Sequence, residues 1–293
     1  MADRVISETK RGPLINQTAG KSKVDDFADD RRLSRLERAH IAFIRRSLKP
    51  GLLDGAIRWC QRRLGATWIH YCTRHLLHFR GLGRLPAFEP EQSYVVVSNH
   101  RSFFDMYVIT AQLVRRGLRH RIFFPVRSDF FYDTLSGFFV NGVMSFFAMY
   151  PPIFRQRQRA SLNVASLAEI TRLLRAGGCF VGLHPEGTRN KGPDPYTFLS
   201  PQRGVGRVIF DARVPVLPVF INGLINNLQR QVTSNFDRTG KPIIVVFGEP
   251  LDLTNLWEQG RGPNTDRMVA DAVMQAIGRL GEEERRIRAA LES

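Results

Sequence analysis

Tyr94-Val95-Val96-Val97-Ser98-Asn99-His100-Arg101-Ser102-Phe103-Phe104-Asp105 joins an uninterrupted apolar run to a polar turn that leads into a helical stretch. An apolar run without polar alternation reads as a strand covered on both faces, as in parallel sheets. The rhythm recurs downstream. Arg121 to Val126, Cys179 to Leu183, Val214 to Ile221 and Ile243 to Phe247 read as strands. Phe103 to Arg116, Ala160 to Arg175 and Gly204 to Ala212 read as the helices between them. Alternation of this kind predicts an α/β domain with a central, mostly parallel sheet flanked by helices.

Outward from that domain the patterns change. Residues 1–32 carry no apolar periodicity and read as a mobile polar tail. Residues 33–81 read as a pair of basic helices broken at Pro50-Gly51. In the first, Leu33, Leu36, Ile41, Phe43, Ile44 and Leu48 share one half of the helix wheel, opposite Arg35, Arg38, Arg45, Arg46 and Lys49. The second carries Trp59, Trp68 and Tyr71 among arginines, aromatics suited to a lipid–water interface. This N-terminal amphipathic helical pair is expected to lie on a membrane, or else to pack on the main domain, which is bounded at 82–260. A charge-rich helix closes the chain within 261–293.

Lys and Arg number 43 against 27 Asp and Glu, a formal charge of +16. Such a surplus points to a polyanionic partner, nucleic acid or an anionic membrane face. No recognisable nucleic-acid motif orders the basic residues, so no nucleic-acid partner is expected. The first thirty residues lack the apolar core of a secretory leader. The most apolar segment, Phe130 to Phe154, is interrupted by Asp133, Ser136, Asn141 and Ser145 and falls short of a membrane span. It reads as core, as acyl-groove lining or as a segment dipping into lipid. Cys60, Cys72 and Cys179 lack metal-ligand spacing and read as reduced thiols; no metal or other cofactor is expected.

His100 stands where the end of a strand opens a crevice in α/β sheets. Asp105, five positions on, can meet it only if His100 precedes the helix and the chain curls back. In that arrangement a carboxylate fixes the imidazole tautomer of a general base; a structural contact at a helix start fits the same spacing. His184-Pro185-Glu186-Gly187-Thr188-Arg189 follows another strand. Gly187 permits a tight turn with outward N–H groups, and Arg189 offers a fork for phosphate oxygens. Glu186 can orient an arginine or accept a hydrogen bond from a substrate hydroxyl. Arg155, Arg157 and Arg159 are candidate second phosphate ligands. Val214 to Val219 is an apolar run holding Pro215 and Pro218, a kinked strand or one where ladder bonds are already missing.

In this order and spacing, these segments resemble the glycerolipid acyltransferase family that includes the lysophosphatidate acyltransferases. His100 through Asp105 matches its His-x4-Asp block, Pro185 to Arg189 its phosphate-binding block, and Val214 to Pro218 its late proline block. The likeness spans about residues 82–253. Pro151-x-x-Phe154-x-x-Arg157 stands where the family has Gly-x-x-Phe-x-x-Arg, which favours Arg157 over Arg155, and His184 stands where an aromatic is common. The resemblance implies an acyl-CoA or acyl-carrier-protein donor and a lysophospholipid acceptor, foremost 1-acyl-sn-glycerol 3-phosphate. Glycerol 3-phosphate and a lyso-ornithine lipid are the alternative acceptors, and a non-catalytic basic membrane-binding protein is the rival class. It casts His100 as base, Asp105 as its orienter, and Arg155 or Arg157 with Glu186, Gly187, Thr188 and Arg189 as acceptor-binding residues. The expected setting is the cytoplasmic face of a membrane, bound peripherally or monotopically to its anionic surface.

Overall fold

A computed structural model describes residues 30–132 and 134–292. The tail expected over 1–32 lies almost wholly outside them. Helices α1 (Arg35–Ser47) and α2 (Leu52–Trp59) are followed by a π-helical turn at Cys60–Gly65 and by α3 (Ala66–Tyr71). Strand β1 (Leu77–Arg80) leads to β2 (Tyr94–Ser98), α4 (Asp105–Arg115) and β3 (Arg121–Arg127). Next come α5 (Ser128–Phe131), α6 (Leu135–Met144), β4 (Met149–Ile153), α7 (Leu162–Ala176) and β5 (Cys179–Leu183). Helix α8 (Arg203–Ala212), β6 (Val216–Asn222), α9 (Leu228–Phe236), β7 (Ile243–Phe247), α10 (Thr254–Trp257) and α11 (Pro263–Glu292) complete the chain.

The seven strands form one sheet in the order β1-β7-β6-β2-β5-β3-β4, parallel at every pairing except β6 with β7. The expected α/β class with a mostly parallel sheet is therefore what the chain adopts. Every residue of β2, β5 and β7 is buried, as a sheet covered on both faces requires. Successive residues serve opposite cores. Val95 and Val97 face α1, α7, α8 and α11, whereas Tyr94 and Val96 face α3 and α4. At Gly206 an added Cβ would lie 1.8 Å from the Asp266 carbonyl oxygen, so glycine lets α8 and α11 cross at backbone contact.

Two strands were hidden in the sequence. Leu77–Arg80 falls inside the stretch expected to be helical but pairs with β7, so the boundary drawn at 81/82 cuts a strand from its own sheet. Met149–Ile153, within the Phe-rich segment, pairs with β3 and forms the other edge. Pro218 lies opposite Gly248, one residue past the end of β7, and accepts the Gly248 N–H at 2.9 Å. Its missing donor thus falls where the ladder has already ended.

The first helix corrects another expectation. Ile41 and Ile44 are fully buried in the core, so this apolar face is not free for lipid. Its ends are pinned as well. Buried Glu37 accepts from the Ser128 hydroxyl and pairs with Arg159, while Arg45 meets Glu169 at 3.3 Å. Arg159 is thereby committed to structure and is removed from the candidate phosphate ligands. The closing helix, set apart at 261–293, likewise buries Val269, Val273 and Ile277 against the same core.

Candidate active site

Strands β2 and β5 are parallel neighbours, so the turns that follow them emerge side by side at the same sheet edge. One carries His100, the other His184 to Arg189. Asn99 fixes the first turn. Its amide donates to the Ile221 carbonyl at 2.8 Å and accepts the Ile221 N–H at 2.9 Å, locking the end of β2 to β6. The chain then wraps around the Asp105 carboxylate. Oδ2 of Asp105 accepts the backbone N–H groups of Arg101 and Ser102, both at 2.8 Å, and lies 3.2 Å from His100 Nδ1. Asp105 is the first residue of α4, where the helix dipole favours a negative charge.

This geometry sets the tautomer. With Asp105 as acceptor, Nδ1 of His100 carries the hydrogen and Nε2 is left with a lone pair. Asp105 is 1% exposed while the His100 side chain keeps 20% of its surface. Burial, reinforced by the positive charges of Arg189 and Arg155, lowers the His100 pKa to about 4. Burial also pushes Asp105 up to about 6, against the pull of the Ser102 and Arg101 N–H groups. At neutral pH His100 is an uncharged proton acceptor beside an ionised carboxylate.

Glu186 joins the two turns. One carboxylate oxygen accepts the His100 N–H at 2.8 Å, the other the Leu199 N–H at 2.9 Å, and the residue is 1% exposed. Backbone donors, not an arginine, engage both oxygens. The Asn190 N–H donates to the His100 carbonyl at 2.8 Å, a further tie between the turns.

Gly187 adopts φ +65°, and a Cβ there would come within 2.7 Å of Gln202. The tight turn read from the sequence is thus present, with Gly187 exposed and Thr188 partly so, but the Gly187 N–H closes it on the His184 carbonyl at 2.9 Å instead of pointing outward. Arg189 is exposed and held by the Asn226 side chain at 2.8 Å. Arg155 reaches the same loop, donating to the Gly187 carbonyl at 3.3 Å. Arg157 is also exposed, yet no hydrogen bond ties its guanidinium to this loop. Of the two arginines, the structure thus ties Arg155 to this loop, where spacing had favoured Arg157. The chain leaves β4 in register with β3, and the short 3-10 turn at Arg157–Arg159 starts two residues after Arg155. Arg127, at the end of β3, joins this basic group: burial and the charge of Arg127 lower the Arg155 pKa. Nothing in the sequence marked Arg127 or Asn226 beyond their position just after strands.

Ligating atoms of His100, Asp105 and His184 lie within 4.8 Å of one another. A shared metal ion does not fit this arrangement. The two imidazoles are nearly parallel, 8° apart with centroids at 3.8 Å, so one ion cannot lie in both ring planes at about 2 Å from each nitrogen. Within the segment considered as an acyl groove, Met144 to Phe146 and Ala148 line a cavity of about 30 Å³ with Ile69, Tyr107 and Phe124, room for a water-sized group.

Residues 77–222 match the family model described as acyltransferase. Over 163 residues the chain is 28% identical to the 1-acyl-sn-glycerol-3-phosphate acyltransferase alpha of Homo sapiens and that of Bos taurus, covering 55% of this chain and 50% of each relative. The chain thus spans about half the length of the curated relatives it matches. Its fold is similar to the crystal structure of the 1-acyl-sn-glycerophosphate acyltransferase PlsC from Thermotoga maritima. The TM-score is 0.52 at 21% identity, covering 84% of this chain and 89% of that one, a likeness of fold.

Proposed function

The chain belongs to the acyltransferase family through residues 77–222, and on that premise we propose that it moves a fatty acyl group from a thioester, acyl-CoA or acyl-carrier protein, to a lysophospholipid. The preferred acceptor is 1-acyl-sn-glycerol 3-phosphate and the product phosphatidate. The observation that carries this reading is His100 held 3.2 Å from buried Asp105 beside a basic loop. Nε2 of His100 takes the proton of the acceptor hydroxyl as its oxygen attacks the thioester carbonyl. The tetrahedral intermediate collapses, the C–S bond breaks, and the proton on His100 passes to the leaving thiolate. Asp105 stabilises the imidazolium between these steps. Arg155, Arg189 and the Gly187–Thr188 turn hold the acceptor phosphate and so fix its hydroxyl.

A lysolipid panel read by mass spectrometry tests this. Lysophosphatidate is expected to be acylated in preference to glycerol 3-phosphate and a lyso-ornithine lipid. Arg155→Ala and Arg189→Ala each raise acceptor KM about tenfold or more, as loss of a charge-assisted phosphate contact implies. Arg157→Ala changes it less than about twofold. An acceptor without phosphate turning over as well as lysophosphatidate overturns the assignment.

The setting we propose is an anionic membrane surface, on its cytoplasmic face. Among the described residues no helix is long and apolar enough to cross a membrane. Two helical segments instead carry groups of exposed apolar residues. Leu52 is 95% exposed, followed by Leu53, Trp59, Leu64 and Tyr71; on α6, Leu135, Phe139 and Val143 recur every four residues and form one stripe. Arg58, Arg62, Arg63 and Arg74 accompany the first group. Co-sedimentation with phosphatidylglycerol vesicles is expected to fall about tenfold in a Leu52→Asp, Trp59→Asp, Phe139→Asp variant. Unchanged sedimentation would remove these residues from the membrane contact.

A further inference from the structure

His184 occupies a position where the family resemblance leads one to expect an ordinary aromatic, and phosphate binding does not call for an imidazole there. Its ring lies face to face with that of His100, centroids 3.8 Å apart and planes 8° from parallel. Nδ1 of His184 is 3.1 Å from the Ser98 carbonyl and 3.3 Å from the Ser98 hydroxyl, so it carries a hydrogen donated back to β2. Two independent constraints therefore act on the His100 ring. Asp105 fixes it within its own plane, and His184, itself tied to β2, closes one face against rotation.

We propose that His184 is a positioning residue of the acyl-transfer site, clamping one face of His100 so that only the edge bearing Nε2 is presented to an acceptor hydroxyl. The inference rests on the acyl-transfer reading above. A stack of two imidazoles at this separation tolerates at most one positive charge, because two like charges with little water between them repel strongly. His184 is the one kept neutral: burial and the neighbouring His100 lower its pKa to about 3. The charged groups that bear on the pair are Asp105 from α4, Arg101 beside it, Arg189 from the turn after β5 and Arg155 from the segment after β4. Glu186 acts on the backbone of His100, not on its ring. A phenyl ring would keep the stack and lose the bond to Ser98; a methyl group would lose both.

The test compares wild type, His184→Phe and His184→Ala as full chains, with lysophosphatidate and a thioester donor. His184→Phe is expected to keep kcat within about threefold of wild type, and His184→Ala to lose about 10- to 100-fold in kcat with acceptor KM within about twofold. The second readout needs no turnover. In ¹⁵N-edited NMR titrations, the His100 ring is expected to titrate at least about one pH unit higher in His184→Ala, where water reaches the opened face, and to stay low in His184→Phe. Wild-type kcat in His184→Ala, or a His184→Phe variant as slow as His184→Ala, overturns the clamp. If wild type acylates no acceptor, the acyl-transfer reading falls. The titrations still judge the clamp, which is overturned if His100 titrates alike in all three proteins.

Discussion

Replacing His100 by alanine is expected to lower the rate of acyl transfer by about 10²- to 10⁴-fold, the range for loss of a general base. Acceptor KM should change little, because the groups we place on the phosphate are untouched. The pH dependence follows from the same pair. Asp105 titrates near 6 and His100 near 4. As pH falls through 6 the carboxylate gains a proton and no longer supports an imidazolium. In the window from 6 to 4, kcat/KM should therefore drop about tenfold per pH unit. Initial rates measured between pH 4.5 and 8 check this. Asp105→Asn should lower the plateau and erase the limb near 6. A His100→Ala variant that retains wild-type rates would rule out the base assignment.

The second large effect is expected at a residue that need not touch substrate. Glu186→Ala strips the acceptor from two backbone N–H groups, those of His100 and Leu199, which meet at its carboxylate from different segments. Each buried donor left unpaired costs about 1–3 kcal/mol. The unfolding midpoint in urea should fall accordingly. Freed of this tie, the His100 turn can drift, and a displacement of about 1 Å is enough to slow the chemistry about 10²-fold. The expected signature is a fall in kcat with acceptor KM within about threefold. Glu186→Gln, which keeps the shape and one accepting oxygen, should recover part of both losses. A rise in KM at unchanged kcat would instead return Glu186 to the acceptor.

How far the sequence foretold these features depends on the range of the signals. The five strands recognised from it are those whose neighbours bury both faces, because such strands must be apolar throughout. The edge strands escaped notice for opposite reasons. Leu77–Arg80 alternates partly buried with exposed residues and includes His78 and Arg80, so its polarity hid it within a basic helical stretch. Met149–Ile153 holds two prolines and was masked by surrounding phenylalanines. The curl that joins His100 to Asp105 was legible because it is local, five residues around one carboxylate. The choice between Arg155 and Arg157 was not. It depends on where β4 ends beside β3 and on a carbonyl thirty-two residues downstream. Glu186 misled for a similar reason: its partners, His100 and Leu199, are remote in sequence, and a carboxylate in a phosphate-binding loop invites a substrate role.

The anchoring of α1 bears on how this protein can be cut. The matched segment, 77–222, looks like a portable module. Excising it would discard Glu37, leaving the guanidinium of Arg159 without that carboxylate just beyond the Arg155 loop, and would uncover the apolar floor beneath Ile41 and Ile44. It would also lose β7, and with it the strand that separates β1 from β6. The matched block is thus not an autonomous folding unit. In swaps between relatives, the flanking helices belong to the cassette.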